Sequence, residues 1–243
     1  MIPCDIYDPL FVGRLFDEMS RTYGVVNMIS SLGFARRWRR QCLRSISIPR
    51  SAAILDLMTG TGELCPDLLR LLDPAGRIQA LDISAEMCAR ARKHVSPDDS
   101  SRLHILQADA LSCPIEDESV DCVVSTFGLK TFNSRQLTSL ATEVYRVLRP
   151  GGQFAFLEIS VPRSGLLRLP YIAYLRYVIP LIGRLALGNP DNYRLLGVYT
   201  SAFGDCRKTA DCFASTGLAV EFRSYFFGCA TGITGVKSRW KAG

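Results

Sequence analysis

The sequence has no closely spaced pair of cysteines and little histidine. Its nine cysteines are scattered over 243 residues without a CxxC pair. The sequence therefore contains no recognisable zinc-binding or thioredoxin-like motif. An odd number of scattered cysteines also argues against a disulfide scaffold, so we expect buried free thiols in a reducing compartment. His94 ends a predicted helix and His104 lies in a predicted strand. We assign neither a role and expect no metal site.

Uncharged apolar runs of the roughly 18 residues that a membrane span needs are also missing. Residues 166–188 come nearest, but three arginines interrupt them: Arg168, Arg176 and Arg184. No basic region followed by an apolar run opens the sequence, so no signal peptide is indicated. We therefore expect a cytoplasmic protein with no membrane-spanning helix.

Acidic residues are absent from three segments that contain arginine. These segments are residues 19–55, 159–190 and 222–243. The whole chain has a formal net charge of +6. This uneven distribution indicates an anionic surface or substrate near the basic segments. The chain has no nucleic-acid-binding motif and its charge is modest, so we do not expect nucleic acid as the partner.

Apolar runs and helical patterns alternate along the middle of the chain. Hydrophobic residues make up 48% of the chain, enough for a sizeable core. Strands are predicted at residues 53–57, 77–81, 103–107, 120–125 and 153–158. Helices are predicted at residues 63–72, 84–95 and 135–148, with Ser84 as an N-cap and a stop at residues 150–152. The alternation predicts an α/β fold with a doubly wound, Rossmann-like sheet of parallel βαβ units.

The two ends of the chain differ from this middle part. Residues 8–47 are predicted to be helical, and a helix at 208–215 precedes two strands at 218–226 and 228–236. We expect a single domain in four parts. These parts are an N-terminal helical cap (1–50), a cofactor-binding core (51–160), a helical lid insertion after strand five (161–200) and a C-terminal helix with strands (201–243).

Glycines and acids follow the first three predicted strands. Asp56 opens the run that contains Gly60, Thr61 and Gly62, Asp82 ends the second strand, and Asp109–Ala110 follows the third. Ligands of open α/β sheets bind at these carboxyl ends. The glycines allow backbone N–H groups to approach a ligand, and Asp82 can accept hydrogen bonds from both ribose hydroxyls.

The same residues discriminate between two nucleotide cofactors. Cys65 stands where the dinucleotide fingerprint has its third glycine. Asp56 would repel a pyrophosphate, because like charges repel, whereas it suits a ligand with an ammonium and a sulfonium. The residues therefore favour S-adenosylmethionine over a nicotinamide dinucleotide.

Three stretches resemble the class I methyltransferases and, more narrowly, the ubiquinone/menaquinone biosynthesis C-methyltransferase family (UbiE-like). The first comprises residues 23–30 with Leu32, Gly33 and Trp38. The second is the glycine loop with Asp82, Asp109–Ala110 and residues 126–129. The third comprises residues 146–160, and the segment 191–194 adds a narrower match.

The resemblance implies a seven-stranded, mostly parallel sheet with an antiparallel last strand. It also implies S-adenosylmethionine as cofactor and a quinol-type ring, with a long isoprenoid tail, that is methylated on carbon. The expected cofactor-binding residues are Tyr23, Asp56, Gly60, Thr61, Gly62, Asp82, Ile83, Met87, Asp109, Ala110 and Thr126.

The sequence departs from the family pattern at three positions. Gly24 replaces the acid of the first motif, Ala35 replaces its histidine, and Lys130 replaces an arginine after strand four. Lysine keeps the charge but lacks the planar fork of arginine. Two alternatives therefore stay open. One is O- or N-methylation of another small molecule, and the other is a non-methylating protein that binds the cofactor for a cyclisation or decarboxylation.

Carbon methylation of a hydroquinone requires an electron-rich ring. A phenol with a pKa near 10 must be ionised or must meet a base. The candidate catalytic residues are Lys130, which would stabilise a phenolate, together with Tyr193 and Glu158. Glu158 is expected to end strand five and to face the site.

We interpret the insertion at residues 161–200 as an amphipathic lid. Its apolar side would face a lipid-like aromatic substrate, and its arginines would face phosphate headgroups at a peripheral membrane contact. Pro170 and Pro180 are expected to break or kink it. A helix at 34–46, with Arg36, Arg37, Arg39 and Arg40, would add to the basic surface. A homodimer is a further expectation.

Overall fold

A computed structural model describes residues 5–239, and Cys4 lies outside this range. Its centre is one seven-stranded sheet in the order β3-β2-β1-β4-β5-β7-β6. The strands are β1 (Ala53–Leu57), β2 (Arg77–Asp82), β3 (Leu103–Gln107), β4 (Val120–Thr126), β5 (Leu148–Ile159), β6 (Leu218–Tyr225) and β7 (Ala230–Lys237). Strands β1 to β5 are parallel, and β7 is antiparallel to both β5 and β6. The predicted doubly wound, mostly parallel sheet is confirmed.

The helices flank the sheet and cover one of its ends. They are α1 (Pro9–Ser30), α2 (Phe34–Leu43), α3 (Cys65–Leu71), α4 (Ala85–Lys93), α5 (Ser134–Val147), α6 (Gly165–Ala173), α7 (Ile179–Leu185), α8 (Pro190–Phe203) and α9 (Arg207–Ala214). Ser84 caps α4 as predicted, because its Oγ accepts a hydrogen bond from the backbone N–H of Met87 at 3.0 Å.

The core lies on both faces of the sheet. One face packs Leu55, Val123 and Phe156 against Leu140 of α5 and Phe213 of α9. The other face packs its strand residues against α3 and α4. All five residues of β1 are buried, as expected for a parallel strand covered on both sides. This arrangement leaves the carboxyl ends of the strands, where the predicted site residues lie, to be covered by α1 and α2.

Strand β5 differs from the prediction at its start. Residues 150–152 were expected only to stop the preceding helix, but the strand begins at Leu148. Val120 of β4 pairs with Leu148 before the register shifts and Cys122 pairs with Gln153. The Pro-Gly-Gly segment is therefore an irregularity inside the ladder, which is where a strand tolerates such residues.

The lid is one continuous helical stretch rather than two broken helices. A π-helical turn, Tyr174–Val178, joins α6 to α7. Pro170 lies inside α6, and Pro180 begins α7 directly after the wide turn. Neither proline therefore ends the helical stretch, and the irregularity that separates α6 from α7 is the π-turn before Pro180.

The same stretch, Gly165–Leu185, is long and apolar enough to cross a membrane by length and composition alone. By the criterion of length and composition, the arginines do not exclude a membrane-spanning helix here, contrary to the expectation from the sequence. Most of the stretch is exposed, and Leu175, Pro180 and Gly183 are its buried residues.

The cysteines agree with the expectation for free thiols. Across residues 5–239 all eight are unpaired with one another, and every one except Cys212 is buried. Burial raises the pKa of Cys42 and of Cys65 to about 12. These thiols therefore remain protonated at neutral pH and act as small apolar side chains.

Candidate active site

A cleft of about 850 Å³ opens at the carboxyl ends of the central strands. Asp109 after β3, Asp82 at the end of β2, the glycine loop after β1 and Thr126 at the end of β4 follow one another along its floor. Residues of α1 close the cleft from above. We call it the cofactor cleft.

The glycine loop is shaped by left-handed backbone. Gly60 has φ +59° and Gly62 has φ +76°, a region that glycine adopts without strain. The backbone N–H of Gly60 donates a hydrogen bond to Asp82 Oδ2 at 2.8 Å. A Cβ on Gly62 would come 3.2 Å from Cβ of Ala91 in α4. The glycines therefore join the loop to β2 and let α4 approach it.

Asp82 is held in place by hydrogen bonds from its neighbours. Its Oδ1 accepts a hydrogen bond from the backbone N–H of Ser84 at 2.9 Å. Burial raises the pKa of this carboxyl to about 6, while the hydrogen bonds from Ser84 and Gly60 act in the opposite direction. Asp82 is therefore mainly ionised at neutral pH and faces the cleft. A ribose is the ligand group that a carboxylate at this position suits.

Asp56 lies beneath the cleft rather than on its wall. It is buried, and its Oδ2 accepts a hydrogen bond from Thr59 Oγ1 at 2.6 Å. Burial raises the pKa of the Asp56 carboxyl to about 7, against the lowering effects of the Thr59 hydrogen bond and of Arg39. The structure thus gives Asp56 a place under the glycine loop, where it ties Thr59 to β1.

The predicted cofactor residues fall into two groups, those that line the cleft and those that lie behind the glycine loop. Nine of the eleven line the cleft: Tyr23, Gly60, Thr61, Asp82, Ile83, Met87, Asp109, Ala110 and Thr126. Gly62, like Asp56, is not among the lining residues, and its backbone conformation supports the loop on the side away from the cleft.

Two charged lining residues were missed by the sequence reasoning. Arg39 of α2 and Glu63, which follows the glycine loop, form an ion pair at the cleft wall. Arg39 had been grouped with the arginines of a basic surface, and its burial corrects that interpretation. The sequence carries one signal for its burial, because Arg39 shares a helix face with Ala35 and Leu43 at a spacing of four residues, but this signal does not place Arg39 in the cleft.

Arg39 also contacts the end of β4. Its Nε donates a hydrogen bond to Thr126 Oγ1 at 3.4 Å, and its guanidinium lies 5.0 Å from the ring centroid of Phe127. Phe127 has φ +70°, an uncommon conformation for a residue other than glycine. This backbone turns the Phe127 ring towards Arg39 and towards both cavities of the site.

A second cavity of about 1,220 Å³ adjoins the cleft. Tyr23 and Phe127 line both cavities. Most of the second lining is apolar or aromatic and comes from the cap, the lid, β5 and the β6–β7 turn: Val26, Phe34, Trp38, Ile159, Tyr171, Leu175, Ile179, Leu196 and Phe226. We call it the acceptor cavity, because it can present a second molecule to a ligand in the cofactor cleft.

Lys130 lies in the wall of the acceptor cavity and is paired. Its Nζ lies 3.0 Å from Glu158 Oε1 and also donates a hydrogen bond to the carbonyl of Phe127. An ammonium has three donors, so one N–H remains beyond these two contacts. Lys130 can therefore donate a hydrogen bond to an acceptor oxygen.

Glu158 was expected to face the site, but it is fully buried and lines neither cavity. Its Oε1 accepts hydrogen bonds from Lys130 Nζ and from the backbone N–H of Ile159 at 2.7 Å, and its Oε2 accepts from the backbone N–H of Lys130 at 3.0 Å. The carboxylate is thus occupied by internal partners. Glu158 positions Lys130 and has no path to a substrate proton.

Tyr193, at the third candidate position, lines the acceptor cavity. Its hydroxyl lies 2.7 Å from Thr22 Oγ1, and burial raises its pKa. Its ring packs so closely on α7 that a Cβ on Gly183 would meet it at 2.2 Å. Tyr193 therefore connects α8, α7 and α1 around the cavity.

The sheet order, the glycine loop after β1 and the carboxylate at the end of β2 define a class I methyltransferase. The cleft fits S-adenosylmethionine, because the carboxylate of Asp82 suits the ribose hydroxyls. The chain belongs to the ubiE/COQ5 methyltransferase family, whose model matches residues 6–237. It is an S-adenosylmethionine-dependent methyltransferase.

Individual proteins show the same relationship. The chain is 33% identical over 228 residues to a demethylmenaquinone methyltransferase of Lactiplantibacillus plantarum, covering 93% of this chain and 95% of that protein. It is 32% identical over 186 residues to the ubiquinone/menaquinone biosynthesis C-methyltransferase UbiE of Hahella chejuensis, covering 76% and 74%. A SAM-dependent methyltransferase from Aquifex aeolicus shares the fold, with a TM-score of 0.57 at 17% identity, over 82% and 89% of the two chains.

Proposed function

We propose that the enzyme transfers a methyl group to carbon of a quinol-type ring that carries an apolar tail. The observation that supports this proposal is the acceptor cavity, which is large and mainly apolar and shares the lining residues Tyr23 and Phe127 with the cofactor cleft. The names of the two relatives, a demethylmenaquinone and a ubiquinone/menaquinone methyltransferase, point to the same substrate class.

Bound S-adenosylmethionine supplies an activated methyl group, and the side chains of this chain supply proximity and charge. Alignment of two bound reactants is worth several kcal/mol. Lys130 is the cationic group of the acceptor cavity, and its remaining N–H would stabilise a phenolate oxygen. Glu158 keeps Lys130 in position, and Tyr193 supports the wall opposite. Trp38 and Phe34 would pack against the ring.

We further propose that the enzyme is cytoplasmic and works at a membrane surface. Exposed apolar side chains lie on three segments that also contribute lining residues to the acceptor cavity. They are Met28 and Leu32 at the end of the cap helix, Leu169, Tyr177 and Leu181 on the lid, and Phe226 and Phe227 in the β6–β7 turn. The stretch Gly165–Leu185 of the lid contributes arginines and no acids, a combination that suits anionic lipid.

The test is an acceptor screen with methyl-labelled cofactor. Demethylated naphthoquinols and benzoquinols with and without a prenyl tail are incubated with the enzyme, together with simple phenols. Carbon methylation gives a product of the corresponding mass with the carbon-13 shift of an aryl methyl group. A methoxy or N-methyl shift would replace the proposal by one of the two heteroatom alternatives. Cofactor binding without release of S-adenosylhomocysteine would indicate a non-methylating protein.

A further inference from the structure

The sheet order sets the direction in which the cofactor must lie. Asp82, which suits the ribose, stands at the end of β2, and Asp109 and Ala110 stand beyond it at β3. The base of the nucleoside therefore lies on the β3 side. The amino-acid end must point the other way, past the glycine loop towards β4. That end of the cleft is where Arg39 and Glu63 form their wall.

Both side chains keep free hydrogen-bonding atoms there. Within residues 5–239, Arg39 uses Nη2 for Glu63 and Nε for Thr126. No hydrogen bond in that range engages its Nη1, which carries two donors. Glu63 accepts from Arg39 and from Asn27 through Oε2. Its Oε1 accepts no hydrogen bond from the described part of the chain. The wall thus presents one free cationic edge and one free anionic oxygen.

The surroundings keep these atoms approachable. A Cβ on Gly24 would lie 3.5 Å from Glu63 Oε1, so the glycine leaves the space beside this oxygen open. The two side chains are 10% and 24% exposed, and this partial burial strengthens their interaction with a charged ligand relative to a group in free solvent. The opposite side of Arg39 is covered by the ring of Phe127.

We propose that Arg39 and Glu63 together bind the zwitterionic end of the cofactor, with Arg39 on the carboxylate and Glu63 on the ammonium. The pair has the charges of the ligand in reverse order, and the free Nη1 of Arg39 can donate a charge-assisted hydrogen bond to a carboxylate. The inference rests on the methyltransferase assignment, but not on the nature of the acceptor, because cofactor binding alone tests it.

The first experiment measures binding of three ligands to the wild-type chain and to Arg39→Met by calorimetry. The ligands are S-adenosylhomocysteine, its decarboxylated analogue, which keeps the ammonium, and 5′-methylthioadenosine, which lacks the whole amino-acid end. We expect the wild type to bind S-adenosylhomocysteine about tenfold or more tightly than the decarboxylated analogue. In Arg39→Met this preference disappears, while the affinity for 5′-methylthioadenosine stays the same.

The second variant separates the two charges. Glu63→Gln is expected to weaken S-adenosylhomocysteine and the decarboxylated analogue alike, again with 5′-methylthioadenosine unaffected. Arg40→Met is the matched control, because Arg40 is the next residue of α2 and pairs with Asp67 outside the cleft. It should leave all three affinities unchanged. Arg39→Lys, which keeps the charge, is measured in place of Arg39→Met if the latter does not fold, and it should retain part of the preference.

Two results would overturn the proposal. If Arg39→Met weakens 5′-methylthioadenosine as strongly as S-adenosylhomocysteine, the pair only holds the cap against the core. If the wild type does not distinguish the decarboxylated analogue from S-adenosylhomocysteine, Arg39 has no carboxylate partner. Neither result bears on the acceptor, so a failure here is distinguishable from a failure of the quinol proposal.

Discussion

Removal of the Lys130 amine should destabilise the protein through the carboxylate that it leaves behind. Lys130 and Glu158 are 5% and 0% exposed, and their charged atoms lie 3.0 Å apart. In Lys130→Met the Glu158 carboxylate keeps its two backbone N–H donors but loses its cation. Breaking a buried ion pair on one side costs about 3–5 kcal/mol of unfolding free energy. We therefore expect the unfolding free energy of Lys130→Met to be about 3–5 kcal/mol lower than that of the wild type.

The double variant Lys130→Met/Glu158→Gln should recover most of this loss, because no unpaired charge then remains buried. The assay is urea unfolding at pH 7 of the four proteins of the cycle, from which the coupling energy follows. Arg149→Met is the control. Its ion pair with Asp121 is partly exposed and should contribute about 1 kcal/mol or less. If Lys130→Met loses no more unfolding free energy than Arg149→Met, the reasoning is refuted.

The same variant bears on catalysis. Lys130→Met should leave the affinity for S-adenosylhomocysteine unchanged, because Lys130 lines only the acceptor cavity. Turnover measured below the unfolding transition should fall. Lys130→Arg, which keeps a charge beside Glu158, should retain part of the wild-type turnover. Normal turnover of Lys130→Met would remove Lys130 from the catalytic groups.

Three other perturbations test the cleft. Asp82→Ala should weaken S-adenosylhomocysteine binding by about 1–3 kcal/mol, because the ribose loses a charged acceptor; an unchanged dissociation constant in calorimetry would contradict this. Asp56 has a carboxyl pKa raised to about 7, so the folded state binds more protons than the unfolded chain between about pH 4 and 7, and stability falls as the pH rises through this range. Asp56→Asn should flatten that slope in melting temperatures taken from pH 5 to 8, and a wild type without the slope would refute it. Gly62→Ala should cost about 1–2 kcal/mol in urea unfolding, because of its positive φ and its contact with Ala91, whereas no loss would show that the loop tolerates a side chain there.

Sequence reasoning found the sheet because its strands are short apolar runs with clear ends. Strands β1 and β3 have the predicted bounds, since Gly, Pro and polar residues flank both. The start of β5 was missed. The ladder there continues through Pro150 and Gly151, and the register that permits this depends on the partner strand. A single sequence does not display such a pairing.

The candidate site was predictable where its residues follow strands and was missed where they come from the cap. Asp82 and Asp109 lie at strand ends, so the topology alone places them in one cleft. The location of Arg39 depends on how α2 crosses the sheet end, and a run of four neighbouring arginine positions looks like a solvated face. Glu158 was misplaced for a related reason, because the position of a strand end does not show which face the side chain takes.

The π-turn of the lid has a consequence for how acceptor choice can change. Tyr174 and Leu175, which belong to this turn, line the acceptor cavity. A wide turn holds one residue more than a regular α-helical turn, so deletion of a single residue would convert it to a regular turn. Because the wide turn absorbs the extra residue, the deletion would leave α6 and α7 on their present faces and would change only the side chains that the turn itself presents to the acceptor cavity. The nucleotide end of the enzyme would be untouched.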